Sequence, residues 1–171
     1  MSVPRLIMFD MDGTLIDSGS AIVEHMASTF VHHGLEAPTR EMTHSIIGLS
    51  LEVAMAELAK CDEETSLVLA DTYRRFYREM VAKGGMHEPL YDGAVEALTR
   101  LSSQDMNMLG IATGKGLHGV SRILALHGLA ERFLTLQTPD HNPSKPHPGM
   151  LLRAMSETGA DPENTIMIGD T

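Results

Sequence analysis

From Tyr91 onward, short apolar runs alternate with helical patterns, and no other feature limits the fold as tightly. The pattern predicts a helix from about Gly93 to Ser103, an apolar run MNMLGIAT (Met106 to Thr113) and a helix from about Leu117 to His127. The run FLTLQT (Phe133 to Thr138) follows, then a helix from about Pro148 to Thr158, and last TIMIGD (Thr165 to Asp170). Strands alternating with helices build βαβ units around a parallel sheet. Near the other end, Arg5 to Asp10 reads as one more buried strand. It is short, continuously apolar after Arg5, and stopped by the turn-forming pair Asp12-Gly13.

Between that strand and Tyr91 lie four helical patterns with no strand among them. Ser18 or Ser20 caps the first, which keeps Ile22, Met26, Phe30 and Val31 on one side and ends at Gly34. Thr39 starts a short helix that ends near Gly48, and Ser50 starts another with Leu51, Ala54, Met55 and Leu58 inward. Asp62 caps a longer one through Leu67, Ala70, Phe76 and Met80, closed by Gly84-Gly85. The first strand belongs with the later ones, so the four helices form an insertion. No internal repeat or low-complexity segment interrupts the pattern.

With 171 residues there is room for one ordinary domain, or a compact one carrying an insertion, and 43% apolar residues suffice for a core. No window approaches the roughly 18 apolar residues of a membrane span, and no signal peptide is recognised. Cys61 is the only cysteine, so neither an internal disulfide nor a thiolate metal cluster is expected, and a cytoplasmic setting fits. A net charge of -10 has the wrong sign for holding a nucleic-acid backbone. The nine histidines show no HxH or HExxH spacing, and His32-His33 sits in a helical pattern where neighbours point apart, so solvated or core histidines are expected.

In open parallel sheets, ligands sit outside the carboxyl ends of the strands. Polar residues follow the apolar runs at those ends: Asp10-Met11-Asp12-Gly13-Thr14, Thr113-Gly114-Lys115 and Gly169-Asp170-Thr171, with Lys145 in SKPHPG at the head of a helix. Such a set suits phosphoryl transfer through a covalent intermediate. A carboxylate at Asp10 can attack phosphorus, while Asp12 protonates the leaving oxygen and later takes a proton from water. Asp10 and Asp170 offer hard oxygen ligands for Mg²⁺, and Thr113 and Lys145 can hold the equatorial oxygens.

The segments FDMDGTLIDS, IATGKG, KPHPG and MIGDT resemble, in order, the four motifs of the haloacid dehalogenase-like hydrolase superfamily, over nearly the whole chain. The resemblance implies an α/β fold, a Rossmann-like parallel sheet core (1–16 and 90–171) with an inserted four-helix cap (17–89). It implies Asp10 as nucleophile and Asp12 as acid/base, with the Asp12 carbonyl joining Asp10 and Asp170 on Mg²⁺. Gly13, Thr14, Thr113, Gly114 and Lys145 match phosphate-binding positions. The helical insertion, GIATGKG and ILALHGL resemble the phosphoglycolate phosphatase-like branch, where the second motif more often reads TNK and Gly114 stands here in place of Asn. The function implied is Mg²⁺-dependent hydrolysis of a small, phosphoglycolate-like phosphomonoester, a phosphorylated metabolite, through an aspartyl-phosphate intermediate in the cytoplasm.

Other readings fit less well. As an EF-hand loop, Asp10 and Asp12 would need Gly where Leu15 stands and Glu where Ala21 stands. GIATGKG imitates a nucleotide phosphate loop but has three residues rather than four before Gly114-Lys115, then Gly116 in place of Ser or Thr. Lys115 is expected to face solvent. A phosphosugar mutase of the same fold would share the catalytic residues, and a non-catalytic binding protein would fold without turnover. In the insertion, Arg74, Arg75 and Arg78 gather on one stretch of helix, which reads as a solvated face or as a source of one arginine for the carboxylate of a small acid such as phosphoglycolate, and Gly48-Leu49-Ser50 makes a corner able to face the site. Family members continue past GDT with a further acid, strand and helix. The reading is therefore of a truncated chain with impaired turnover and with Ile166 to Ile168 at an exposed edge.

Overall fold

The structure is a computed structural model that describes residues 4–170; residues 1–3 and Thr171, which ends the last motif, lie outside the described residues. The order of elements is β1 (Arg5–Phe9), α1 (Gly19–His32), α2 (Arg40–Ser45), α3 (Leu51–Ala59), α4 (Glu63–Ala82), α5 (Ala94–Ser102), β2 (Asn107–Ala112), α6 (Leu117–Leu126), β3 (Thr135–Gln137), α7 (Gly149–Thr158) and β4 (Thr165–Ile168). Single 3₁₀ turns precede β3 and β4.

The four strands pair in parallel in the order β3-β2-β1-β4, with Met8 opposite Gly110 on one side and Met167 on the other. Strand β1 is central because its run is apolar on both faces, as a strand covered on both sides must be. Side chains alternate across it. Ile7 and Phe9 join Leu98 of α5 and Val120, Ile123 and Leu124 of α6. Leu6 and Met8 meet Met150 and Ala154 of α7 on the opposite face. Each of these four buried side chains is worth roughly 1.5–3 kcal/mol, enough to fix the register of β1. At the edge, β4 leaves Ile166 and Ile168 exposed, as expected.

The inserted helices have a core of their own, made by Met26, Phe30, Ile46, Ala54, Met55, Leu58, Leu69 and Ala70, and it shares no residue with the clusters on the sheet. Thr39 Oγ1 accepts from the Met42 N–H at 3.2 Å and Asp62 Oδ1 from the Thr65 N–H at 2.9 Å, so these two helix starts are capped as expected. Three positions expected inward face out: Val31 is 64% exposed, Leu67 50% and Met80 36%. The buried stripe of α4 runs through Ser66, Leu69 and Ala70, so Leu67 sits about 100° away from it. Val31 is likewise one step off Phe30. His32 and His33 do not point apart. Their rings meet edge-on at 5.2 Å because His33 has already left helical geometry at the end of α1.

The outgoing and returning chains cross between sheet and insertion side by side. The Asp17 N–H donates to the Pro89 carbonyl at 2.9 Å, and the Tyr91 N–H to the Leu15 carbonyl at 3.0 Å.

Candidate active site

Because β2 and β4 flank β1, their carboxyl ends bring Thr113 and Asp170 to the two sides of Asp10, and the loop between β3 and α7 delivers Lys145. Asp10 is 1% exposed. Its Oδ1 accepts from the Met11 N–H at 2.7 Å and its Oδ2 is ion-paired with Lys145 Nζ. The main chain locks the neighbours in place: the Asp10 N–H donates to the Ile168 carbonyl at 2.8 Å and the Thr113 N–H to the Gln137 carbonyl at 3.1 Å.

After Asp10 the chain folds tightly, with the N–H groups of Leu15 and Ile16 both donating to the Met11 carbonyl. Gly13 takes φ +81° in this turn, and a Cβ there would lie 2.1 Å from Asp170 Oδ2. Only glycine meets both demands. Thr14 Oγ1 stands 3.5 Å from Asp170 Oδ1. Among the described residues, no group of three His, Cys, Asp or Glu side chains forms a metal cage. Two carboxylates, of Asp10 and Asp170, and the carbonyl of Asp12 are instead the kind of hard, sparse oxygen set that Mg²⁺ takes, since this ion keeps several waters.

Asp12 is buried, and its Oδ1 accepts from Ser18 Oγ at 2.6 Å and lies 3.3 Å from Lys115 Nζ. Ser18 occupies the cap position of α1 but makes no capping bond there. Its hydroxyl is committed to Asp12 instead. Lys115 does not face solvent as expected. Its side chain is 15% exposed, sits over the Tyr77 ring, and reaches Glu88 Oε1 at 3.9 Å as well as Asp12. Burial pulls its ammonium down, but Asp12, Tyr77 and Tyr73 outweigh that and hold it above the ordinary lysine range. Burial likewise pushes the Tyr73 phenol up to about 12.

Glu88 has no counterpart among the residues singled out by sequence. It is 3% exposed, ion-paired with Arg122 of α6, and accepts from Tyr77 Oη at 3.0 Å. It lies on the returning chain, so this network joins α4, α6 and the crossing. A carboxylate just before Pro89-Leu90, where the returning chain meets Leu15 and Ile16, is the sole local signal. Its partners come from distant parts of the chain.

The corner at Gly48-Leu49-Ser50 does face the site. The Ser50 N–H donates to Ser144 Oγ at 2.8 Å. A Cβ on Gly114 would lie 2.1 Å from the Leu49 carbonyl oxygen and 2.6 Å from that of Gly48. Between sheet and insertion opens a cavity of ≈ 450 Å³, with Asp12, Gly114 and Lys115 on one side and Tyr73, Arg74, Tyr77 and Arg78 of α4 on another.

The family model described as haloacid dehalogenase-like hydrolase matches residues 7–171. An N-acetylmuramic acid 6-phosphate phosphatase from Pseudomonas aeruginosa is 31% identical over 169 residues, covering 97% of this chain and 73% of that protein. A phosphoglycolate phosphatase from Photorhabdus laumondii is 28% identical over 174 residues, covering 98% and 72%. A haloacid dehalogenase-like family hydrolase of known structure from Streptococcus pneumoniae superposes with a TM-score of 0.81 at 26% identity, over 100% of this chain and 78% of that one. With the aspartates, threonine and lysine of four motifs gathered at one end of a parallel sheet, the chain belongs to the haloacid dehalogenase-like hydrolases, in their phosphoglycolate phosphatase-like branch, and is an enzyme of the phosphatase kind.

Proposed function

We propose that the protein hydrolyses a small phosphomonoester through an aspartyl-phosphate intermediate on Asp10. The observation that carries the reading is the buried Asp10 carboxylate paired with Lys145 at the end of the central strand, with Asp12 two residues on and facing the cavity. An Asp10 oxygen forms the new bond to phosphorus as the ester bond breaks, and the departing alcohol takes its proton from Asp12. Asp12 then removes a proton from water, whose oxygen displaces Asp10 and releases inorganic phosphate. Lys145, Thr113 and main-chain groups at Gly13, Thr14 and Gly114 hold the phosphoryl oxygens as charge builds.

Asp10, the Asp12 carbonyl and Asp170 would hold Mg²⁺, which when bound neutralises the charge of carboxylate and phosphate alike. Residues 17–89 act as the cap and residues 1–16 with 90–171 as the catalytic core, a division supported by the separate core of the insertion and by the main-chain bonds between its outgoing and returning segments. No described helix is long and apolar enough to cross a membrane, and a single cysteine suits the reducing cytoplasm, where we place the protein.

The test is phosphate release from an aryl phosphate and from phosphoglycolate with and without Mg²⁺. Release that requires both Mg²⁺ and Asp10, and vanishes in Asp10→Asn, is expected. Release that survives Asp10→Asn overturns the assignment of the nucleophile.

A further inference from the structure

Glu88 is a buried carboxylate that takes no part in the proposed proton and phosphoryl transfers. It does not line the cavity, so a substrate held there does not touch it. Its carboxyl is ion-paired with Arg122 of α6 and accepts from Tyr77 Oη of α4 at 3.0 Å, and its main-chain carbonyl lies 2.9 Å from His127 Nε2. The oxygen that Tyr77 reaches also lies 3.9 Å from Lys115 Nζ, which stands over the Tyr77 ring and 3.3 Å from Asp12 Oδ1. Stability alone does not account for this arrangement. Burying ionised groups costs much of what their attraction returns, and among the described residues the buried Arg122 Nε has no hydrogen-bond partner. Position does account for it. A lysine ammonium is a point charge on a flexible stem, and an anionic phosphate in the cavity would draw it from Asp12. A second carboxylate, itself immobilised, opposes that pull.

Resting on the proposed phosphatase reading, we infer that Glu88 is a positioning residue: fixed by Arg122 and Tyr77, it keeps Lys115 beside Asp12 and so holds the Asp12 carboxyl where it can protonate the leaving oxygen. The proton passes from Asp12 to the ester oxygen as the bond of that oxygen to phosphorus breaks and the bond from Asp10 forms. Glu88 neither gives nor takes it.

Leaving-group dependence separates this role from a merely structural one. Phenyl phosphate and nitrophenyl phosphate present rings of similar shape, but nitrophenolate departs with far less need of a proton, and kcat/KM reports the steps up to cleavage of the ester. Glu88→Gln should lower kcat/KM for phenyl phosphate by about 10–100-fold, part of what a positioned acid contributes, and raise the nitrophenyl-to-phenyl ratio at least about fivefold. In the Lys115→Met protein, adding Glu88→Gln should leave that ratio within about twofold, because the ammonium it acts on is gone. Tyr77→Phe keeps the ring and removes a bond to Glu88, so it carries the test even where Glu88→Gln does not fold, and should raise the ratio about twofold or more. Equal losses on the two esters, an unchanged ratio in Tyr77→Phe, or a Glu88→Gln effect on the ratio that persists without Lys115 overturns the inference and leaves the phosphatase reading standing. Phosphate release by the parent protein that is absent or independent of Asp10 overturns both.

Discussion

Lys115 Nζ lies 3.3 Å from Asp12 Oδ1 and 3.9 Å from Glu88 Oε1, so one ammonium joins a carboxylate on the outgoing chain to one on the returning chain. The two are not equally dependent on it. Glu88 retains Arg122 and Tyr77, whereas among the described residues Asp12 retains only Ser18. Lys115→Met should therefore loosen the proposed proton carrier more than the crossing. Steady-state kinetics on an aryl phosphate with an uncharged ring should show kcat lower by about 10–100-fold, part of what a positioned acid/base contributes, with KM little changed. Lys115→Arg should recover some of the loss. A variant with normal kcat and a lower melting temperature would assign the lysine to packing instead.

Asp10 has Lys145 as its ion-pair partner, and Lys145→Met leaves a buried carboxylate without that cation. Breaking a fully buried pair costs about 3–5 kcal/mol. The loss here should be smaller, because the Lys145 side chain is 20% exposed and water relieves part of it. Thermal unfolding should show a lower melting temperature, and Mg²⁺ should raise it by more in the variant than in the parent. Equal increments in the two proteins would mean that lysine and metal do not share the Asp10 charge.

What sequence could and could not reveal follows from how far apart the partners lie. Strand β1, the capping oxygens of Thr39 and Asp62, and the convergence of Asp10, Thr113, Lys145 and Asp170 were legible because each depends on a local pattern or on the rule for parallel sheet ends. Lys115 and Glu88 were not. Each is an ordinary charged residue in its own segment, and burial comes from Arg122, Tyr77 and Asp12 brought in by the fold. Val31 and Leu67 were misplaced because an apolar residue one step off a buried stripe looks the same in sequence as one on it.

Gly114 gives a physical reason for departing from the more common Asn. The carbonyls of Gly48 and Leu49 occupy the place a Cβ would take, so a side chain there and this approach of the insertion exclude each other. Gly114→Ala should push the corner away and disturb the bond between the Ser50 N–H and Ser144 Oγ. Strain of this kind costs about 1–3 kcal/mol. Limited proteolysis near residues 46–50 should be faster and KM higher, while the sheet keeps its stability. Unchanged cleavage and KM would show that the corner yields without effect.

On the far side of the sheet, Glu157 ties α7 to β3. Its Oε2 accepts from Thr135 Oγ1 at 2.6 Å and from Gln137 Nε2 at 2.8 Å, and Arg153 pairs with its other oxygen. The Thr135 bond chiefly, with Arg153 and Gln137 adding and burial opposing, holds its carboxyl below the usual glutamate range of 4.5. The folded state therefore binds this proton less readily than the unfolded chain. The stabilisation is fully present above about pH 4.5 and is lost as pH falls through the lower folded value. Since the side chain is 42% exposed, solvent moderates the effect. Glu157→Gln keeps the shape but removes the titration, so its stability should change less than that of the parent between neutral and acid pH. Measured by urea unfolding across that range, identical acid slopes in the two proteins would remove Glu157 from the acid response and leave it to other carboxylates.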